Sequence, residues 1–395
     1  MNNVSRRQFL SLLGTAAASI AVTRFVPGAS AFSETRPFEI LAVGDSLMSA
    51  QGLRPENKFS WLVKEWIEKE VFAGRRAVNY KSKAHSGARI RLHEDEAAKM
   101  RELGDDERRF HHPEINISFP CIGTQLETAR GEYDDPAAVD LILLSGGITD
   151  VLVANVVNPF VKKHRLLELI GQYCNAGMTS LLKKTTSSFP NASVVVVGYF
   201  PVISTQSDTD KISRYLFKAV KFPHPLQFGI ANPFSKQFMK VLRKKMAQRS
   251  ELWVAESNRA FQKAIASVNQ GFETDRIFFV PTPITAETCF ATKRTMLWDT
   301  NNDNLPSDEM YATRKVECGK ALAEINYHHY GKLALRMCEL AAIGHPNLEG
   351  SIAYADAIKK VVEPVLRAGN VERLAAGSVG MSRPRAVSGA LSRND

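Results

Sequence analysis

An α/β protein, with a parallel sheet covered by helices on both faces, is the fold class that the sequence predicts. Five short runs rich in Val, Ile and Leu recur along the chain. They read as buried strands rather than as half-exposed ones, because apolar residues run on instead of alternating. Stretches with apolar residues at helical spacing lie between them, the alternation that a parallel sheet requires. A length of 395 residues with 44% apolar and 23% charged residues suffices for a large core and excludes disorder as the main state.

The elements follow in order. Residues 38–43 (FEILAV) form a short apolar run that stops at Gly44, a strand followed by a tight turn. Over residues 59–72, Trp61, Leu62, Trp66, Ile67 and Val71 recur at helical spacing. Residues 77–81 are a second strand. Residues 139–144 (VDLILL) are a third and end at Ser145-Gly146-Gly147. A helical pattern covers residues 166–182. Residues 192–197 are a fourth strand, ending at Gly198, and residues 276–280 a fifth. Over residues 351–366, Ala355, Ile358, Val362 and Val365 share one helical face and close the core. Two stretches, about 204–270 and about 281–317, stand outside this minimal alternation as insertions. The expected organisation is a leader over residues 1–31, one domain over residues 32–373 and a disordered tail over residues 374–395, where Ser, Arg, Gly and Ala come to dominate without periodicity. There is no internal repeat.

The leader has a charged start with Arg6-Arg7, an Ala-rich apolar stretch and small residues up to Ala31. Its apolar stretch is short for a membrane span. The paired arginines followed by Phe9-Leu10 resemble a twin-arginine export signal, against an ordinary secretory signal or an uncleaved anchor. Cleavage near Ala31 implies a periplasmic or extracellular protein and lowers the formal charge from +10 to about +7. Five cysteines leave at least one unpaired. Cys318 and Cys338, flanking one helical stretch, are the preferred disulfide, with buried free thiols as the alternative. There is no C-x-x-C pair.

Chemistry is expected beyond the carboxyl ends of the strands, where open parallel sheets bind ligands. Gly44-Asp45-Ser46-Leu47 follows the first strand. Alone, that string fits a nucleophile and a helix-capping serine equally. His85-Ser86-Gly87-Ala88 follows the second strand, Gly146-Gly147-Ile148-Thr149-Asp150 the third, and Gly344-His345-Pro346-Asn347-Leu348-Glu349-Gly350 opens the last helix. These four groups, in this order, resemble the blocks of the GDSL, or SGNH, hydrolase superfamily, over most of residues 38–367.

The resemblance implies a three-layer α/β/α, flavodoxin-like fold with a five-stranded parallel sheet and helical insertions. It implies a serine esterase or lipase-like enzyme without cofactor or metal. Ser46 would be the nucleophile and His345 the general base. A serine hydroxyl is a weak nucleophile without an adjacent base. The oxyanion hole would comprise the Ser46 and Gly87 N–H groups and Thr149. Asp45 and Asp150 would be structural residues near the site. Gly87 also fits a plain turn, and His345 a plain loop histidine. Two positions depart from the family pattern. Thr149 stands where the family has an asparagine donor, and Ala342 where it has the acid three residues before the histidine. The imidazole is then oriented by a main-chain carbonyl, giving a Ser–His dyad, or else by Glu339 or a carboxylate from an insertion.

The adjacent histidines His111-His112 and His328-His329 are poor metal motifs, because neighbouring residues do not face one another. The substrate implied is a lipid, a small acyl ester or an acetylated glycan. Residues 211–249 interleave basic residues, among them Lys218, Lys236, Lys240, Arg243, Lys244, Lys245 and Arg249, with Phe217, Phe222, Phe228, Phe234 and Phe238. That pattern fits an anionic membrane surface, an acidic glycan or a solvated helix face whose aromatics pack on the core; nucleic acid is not expected for an exported chain. An acyltransferase would use the same Ser–His chemistry with another acceptor. A non-catalytic binding module on the same fold is the reading that Thr149 and Ala342 favour.

Overall fold

The computed structural model describes residues 36–212, 233–300, 305–324 and 332–379. The expected export signal, His328 and His329, residues 213–232 of the basic stretch and residues 380–395 lie outside the described residues.

Five parallel strands form one sheet: β1 (Phe38–Val43), β2 (Val78–Ser82), β3 (Val139–Leu144), β4 (Ser193–Val197) and β5 (Ile277–Val280), in the order β2-β1-β3-β4-β5. This is the flavodoxin-like order. The central strands are buried almost throughout, which is why they read as unbroken apolar runs. β2, at one edge, is buried only at its first residue.

Helices cover both faces. On one, α1 (Phe59–Trp66), continued by a π-helical turn over Ile67–Val71, packs against the long helix that ends the described chain. On the other lie the helix Ile122–Gly131, the nearly continuous helix over residues 163–188, and the helix Pro233–Asn269. In α1 and the turn that continues it, the buried stripe is Phe59, Val63, Trp66 and Ile67. Trp61 is instead half-buried, edge-on to Tyr80 at 5.7 Å.

In chain order the remaining helices are α2 (Glu94–Leu103), α3 (Ile122–Gly131), α4 (Ile148–Val151), α5 (Val153–Val157), α6 (Lys163–Ile170), α7 (Met178–Ser188), α8 (Pro233–Asn269), α9 (Tyr311–Glu324), α10 (Lys332–Glu339) and α11 (Leu348–Val379). α8 falls within the stretch 204–270 that the sequence sets outside the alternation. It carries buried Trp253, Phe261 and Ala264 and packs against β5 and α7. It is the crossover that a parallel β4–β5 pair needs, so this half of the stretch belongs to the alternation. α11 runs on to Val379, into the segment expected as tail.

Candidate active site

The site begins with a turn that only glycine can make. Gly44 has φ +153°, and a Cβ there would lie 2.7 Å from the Ser145 carbonyl and 2.8 Å from Met48 Cβ. The Gln125 side chain grips the same residue, accepting from the Gly44 N–H (2.8 Å) and donating to its carbonyl (3.0 Å). The turn therefore leaves β1 in one direction and presents Ser46, which is 8% exposed, at the carboxyl edge of the sheet. Ladder bonds reach this edge from both neighbours, His85 N–H to the Gly44 carbonyl and Ser145 N–H to the Val43 carbonyl.

Across from it, His345 Nε2 lies 2.7 Å from Ser46 Oγ, although the two residues are 299 positions apart. A two-bond clasp holds the histidine's backbone. Trp298 N–H donates to the His345 carbonyl (2.7 Å), and Gly344 N–H donates to the Trp298 carbonyl (2.9 Å). Burial pushes the His345 imidazole down to about 4; the main-chain carbonyls of Ala342 and Ala341 oppose that drop, and the charge of Arg314 adds to it. At neutral pH the ring is uncharged, and an Nε2 lone pair can take the serine proton.

No carboxylate among the described residues accepts from His345 Nδ1, which has no hydrogen-bond partner there. Both alternatives raised by the sequence are occupied elsewhere. The Glu339 carboxylate pairs with Arg336 at 3.0 Å. Asp308, a buried carboxylate of the 281–317 stretch, accepts from Arg314 and from the Met310 N–H. Ala342 itself is fully buried, its Cβ only 2.8 Å from where a Cβ on Gly52 would lie.

Gly87 has φ +80°, and a Cβ there would lie 2.5 Å from the Ile117 carbonyl and 2.6 Å from Asn116 Oδ1. A side chain is excluded on steric grounds as well as by the backbone conformation. Among the described residues neither the Ser46 nor the Gly87 N–H donates a hydrogen bond. Both are free to bind an anion. Thr149 stands half-buried in the first turn of α4, behind Gly147 with φ +120°.

Asp45 does not face His345. It is fully buried and accepts from the Ser145 hydroxyl (2.7 Å), the Leu47 N–H (3.1 Å) and the Tyr199 hydroxyl. Burial pushes its carboxyl up, against these hydrogen bonds. Asp150 accepts from the Ile90 N–H at 3.1 Å, while its other oxygen has no partner among the described residues. Burial pushes it up to about 7.

The Sγ atoms of Cys318 and Cys338 are bonded, with Cα atoms 6.0 Å apart, and Cys121, Cys174 and Cys289 are free and buried. Of the basic stretch, Lys240, Lys244 and Lys245 are exposed. Arg249 is buried and donates to the carbonyls of Asn155, Val156 and Val161, so it is not available to an anionic partner.

Several residues that build the site carry no sequence signal: Gln125 on Gly44, Tyr199 and Ser145 on Asp45, and Trp298 on His345. Each acts across more than forty residues through a bond that no periodicity encodes. Trp298 lies in the 281–317 stretch that the sequence leaves without a role.

No family model matches the chain, and no curated protein matches it in sequence. Among solved structures it is similar to an extracellular lipase from Streptomyces rimosus, at 15% identity and a TM-score of 0.41 over 82% of this chain and 99% of that one. It is also similar to phospholipase A1 from Streptomyces albidoflavus, at 12% identity and a TM-score of 0.40 over 82% and 99%. A third is an acetylxylan esterase from Geobacillus stearothermophilus, at 12% identity and a TM-score of 0.31 over 83% and 94%. Likenesses this distant leave the chemistry to be argued from the site.

Proposed function

We propose that this chain is a serine ester hydrolase of the GDSL/SGNH type, working through a Ser46–His345 dyad. The observation that carries the reading is the 2.7 Å contact between Ser46 Oγ and His345 Nε2 at the carboxyl edge of the sheet. His345 takes the proton as Ser46 Oγ bonds to the acyl carbon of an ester, and the carbonyl oxygen becomes an oxyanion. The Ser46 and Gly87 N–H groups receive that charge, with the Thr149 hydroxyl as a third donor. When the C–O bond of the leaving alcohol breaks, His345 returns the proton to the alkoxide. Water then adds to the acyl-enzyme by the same route, releasing a carboxylic acid and restoring the serine hydroxyl. With no carboxylate on Nδ1, the Ala341 and Ala342 carbonyls favour the tautomer that keeps the proton there.

A panel of aryl esters of increasing acyl length, run on wild type and Ser46→Ala, tests this. Turnover by wild type alone is expected; equal turnover by both would remove Ser46 from the chemistry.

The same reading places the mature chain outside the cytoplasm, through Arg6-Arg7. The Cys318–Cys338 bond supports it, since structural disulfides persist in oxidising compartments. Immunoblots of cell fractions should find the Arg6→Lys/Arg7→Lys precursor retained inside; export of that variant would point to another route.

A further inference from the structure

Beneath the dyad lies a cluster of four charges that the proposed chemistry does not use. Arg314 on α9 is fully buried. Its guanidinium grips Asp308 with two bonds of 3.0 and 2.7 Å and reaches Glu114 at 3.1 Å. Lys58 stands 3.6 Å from the other oxygen of Glu114. Two positive and two negative groups cancel, so the cluster has no charge left for an outside ligand. What it has is connections.

Each connection leads to a different part of the site. Arg314 Nε donates to the main-chain carbonyl of Glu339 (3.1 Å), at the end of α10, which leads directly into the loop carrying His345. Glu114 accepts from the Gly52 N–H (3.0 Å), at the end of the loop that starts at Ser46. The Glu114 carbonyl accepts from Gln51 Nε2 (3.0 Å), and Gln51 N–H donates to the Ser46 carbonyl (3.2 Å). Gln51 Oε1 accepts from the Ser86 hydroxyl (2.7 Å), next to Gly87. Lys58 also donates to the Ser49 carbonyl (2.6 Å). The segments bearing Ser46, Gly87 and His345 therefore meet on one ion-pair frame. Cys318, one helical turn beyond Arg314, ties α9 to α10 a second time through Cys338.

We propose that Arg314, fixed between Asp308 and Glu114, is a positioning residue that sets the separation of Ser46 and His345, in place of the orienting carboxylate absent at position 342. The proposal rests on the dyad reading above. In a site where no carboxylate among the described residues accepts from the histidine's Nδ1, the ring's placement depends on its backbone, and Arg314 anchors that backbone to the loop of the nucleophile. An arginine is suited to this, because its planar fork reaches two carboxylates and a carbonyl at once; a lysine is a point charge on a flexible stem.

The experiment compares wild type with Arg314→Lys and with the paired variant Asp308→Leu/Arg314→Met. The paired variant removes both charges together, a replacement that buried ion pairs commonly tolerate, whereas removing one partner leaves a buried charge unpaired. Melting temperature, kcat and KM on a short aryl ester, the rate of Ser46 labelling by a fluorophosphonate, and crystal structures of the variants are measured. In folded variants kcat should fall about a hundredfold, the scale of a misplacement of about 1 Å, while KM stays within about twofold. Labelling should slow in proportion, and His345 Nε2 should move out of hydrogen-bond reach of Ser46 Oγ. A purely structural role would lower the melting temperature and leave the folded fraction fully active. Wild-type kcat and labelling in either folded variant, or an unchanged 2.7 Å contact in its crystal structure, would overturn the proposal. Wild-type protein that neither turns over esters nor takes the phosphonate refutes the dyad reading instead, and the Ser46–His345 separation in the variants still decides the positioning role.

Discussion

The two halves of the proposed dyad are held in place by different physics. Ser46 sits at the end of a buried strand and is fixed by what the sheet fixes: ladder bonds from both neighbours, a glycine turn and the Gln125 clamp on that turn. His345 sits on a loop between helices α10 and α11, beside an isolated bridge of Leu297 to Pro346. It is held by the Trp298 clasp, the Arg314 frame and the Cys318–Cys338 bond. The lesson is that a rigid sheet edge can hold the proposed nucleophile almost unaided, while its proposed base, 299 residues away, depends on long-range polar and covalent ties.

Removing either partner gives the largest effect and tests whether the halves act as one. Ser46→Ala and His345→Ala should each lower kcat by roughly four to six decades, and the double variant should be no worse than either, as for residues that act as a unit. Steady-state kinetics on an aryl ester, with circular dichroism for fold, checks this. Additive losses would mean the two do not share a step.

On the sheet side, Gly87→Ala should lower kcat by about two to three decades. Its Cβ would meet the Ile117 carbonyl at 2.5 Å and push the N–H donor aside. A variant with normal kcat and an undisturbed loop in its crystal structure would separate Gly87 from the oxyanion.

Thr149 sharpens the comparison at smaller scale, since here the sheet side departs from the family pattern. Thr149→Val should lower kcat about tenfold or more if the hydroxyl donates to the oxyanion, with KM little changed. Thr149→Asn should be tolerated and raise kcat. An unchanged kcat for the valine variant would leave Thr149 a packing residue.

The histidine side predicts a pH effect. The active form of His345 is neutral, and burial lowers its pKa to about 4 from the ordinary 6.5. Activity should therefore be lost only as pH falls through about 4, and kcat/KM should be flat from about pH 6 upward through neutrality. An acid limb centred near or above 6.5 would show that the ring is better solvated or is paired with a carboxylate.

The contrast also explains what the sequence makes legible. The strands could be read closely, with β1 and β3 at their observed bounds, because a strand buried on both faces writes its environment into consecutive residues. Ser46, Gly87 and His345 stand out in the sequence because each lies in a short motif with chemical meaning, Ser46 and Gly87 after strands and His345 just before the last helix. Asp308, Glu114 and Arg314 were not. A buried ion pair looks in sequence like any surface charge, and only folding brings positions 114, 308 and 314 together. The 204–270 stretch was misjudged for a related reason. α8 is long, basic on one side and carries its buried residues far from β4, so its role as the β4–β5 crossover shows only in the packing of Trp253 and Phe261.

The most direct test of the central claim is to treat the folded protein with a fluorophosphonate and locate the adduct by peptide mass mapping. A single adduct on Ser46, absent from Ser46→Ala and formed far more slowly in His345→Ala, is the expected result. Folded wild-type protein that takes no adduct at Ser46, or one labelled at Ser46 just as fast without His345, would contradict the dyad.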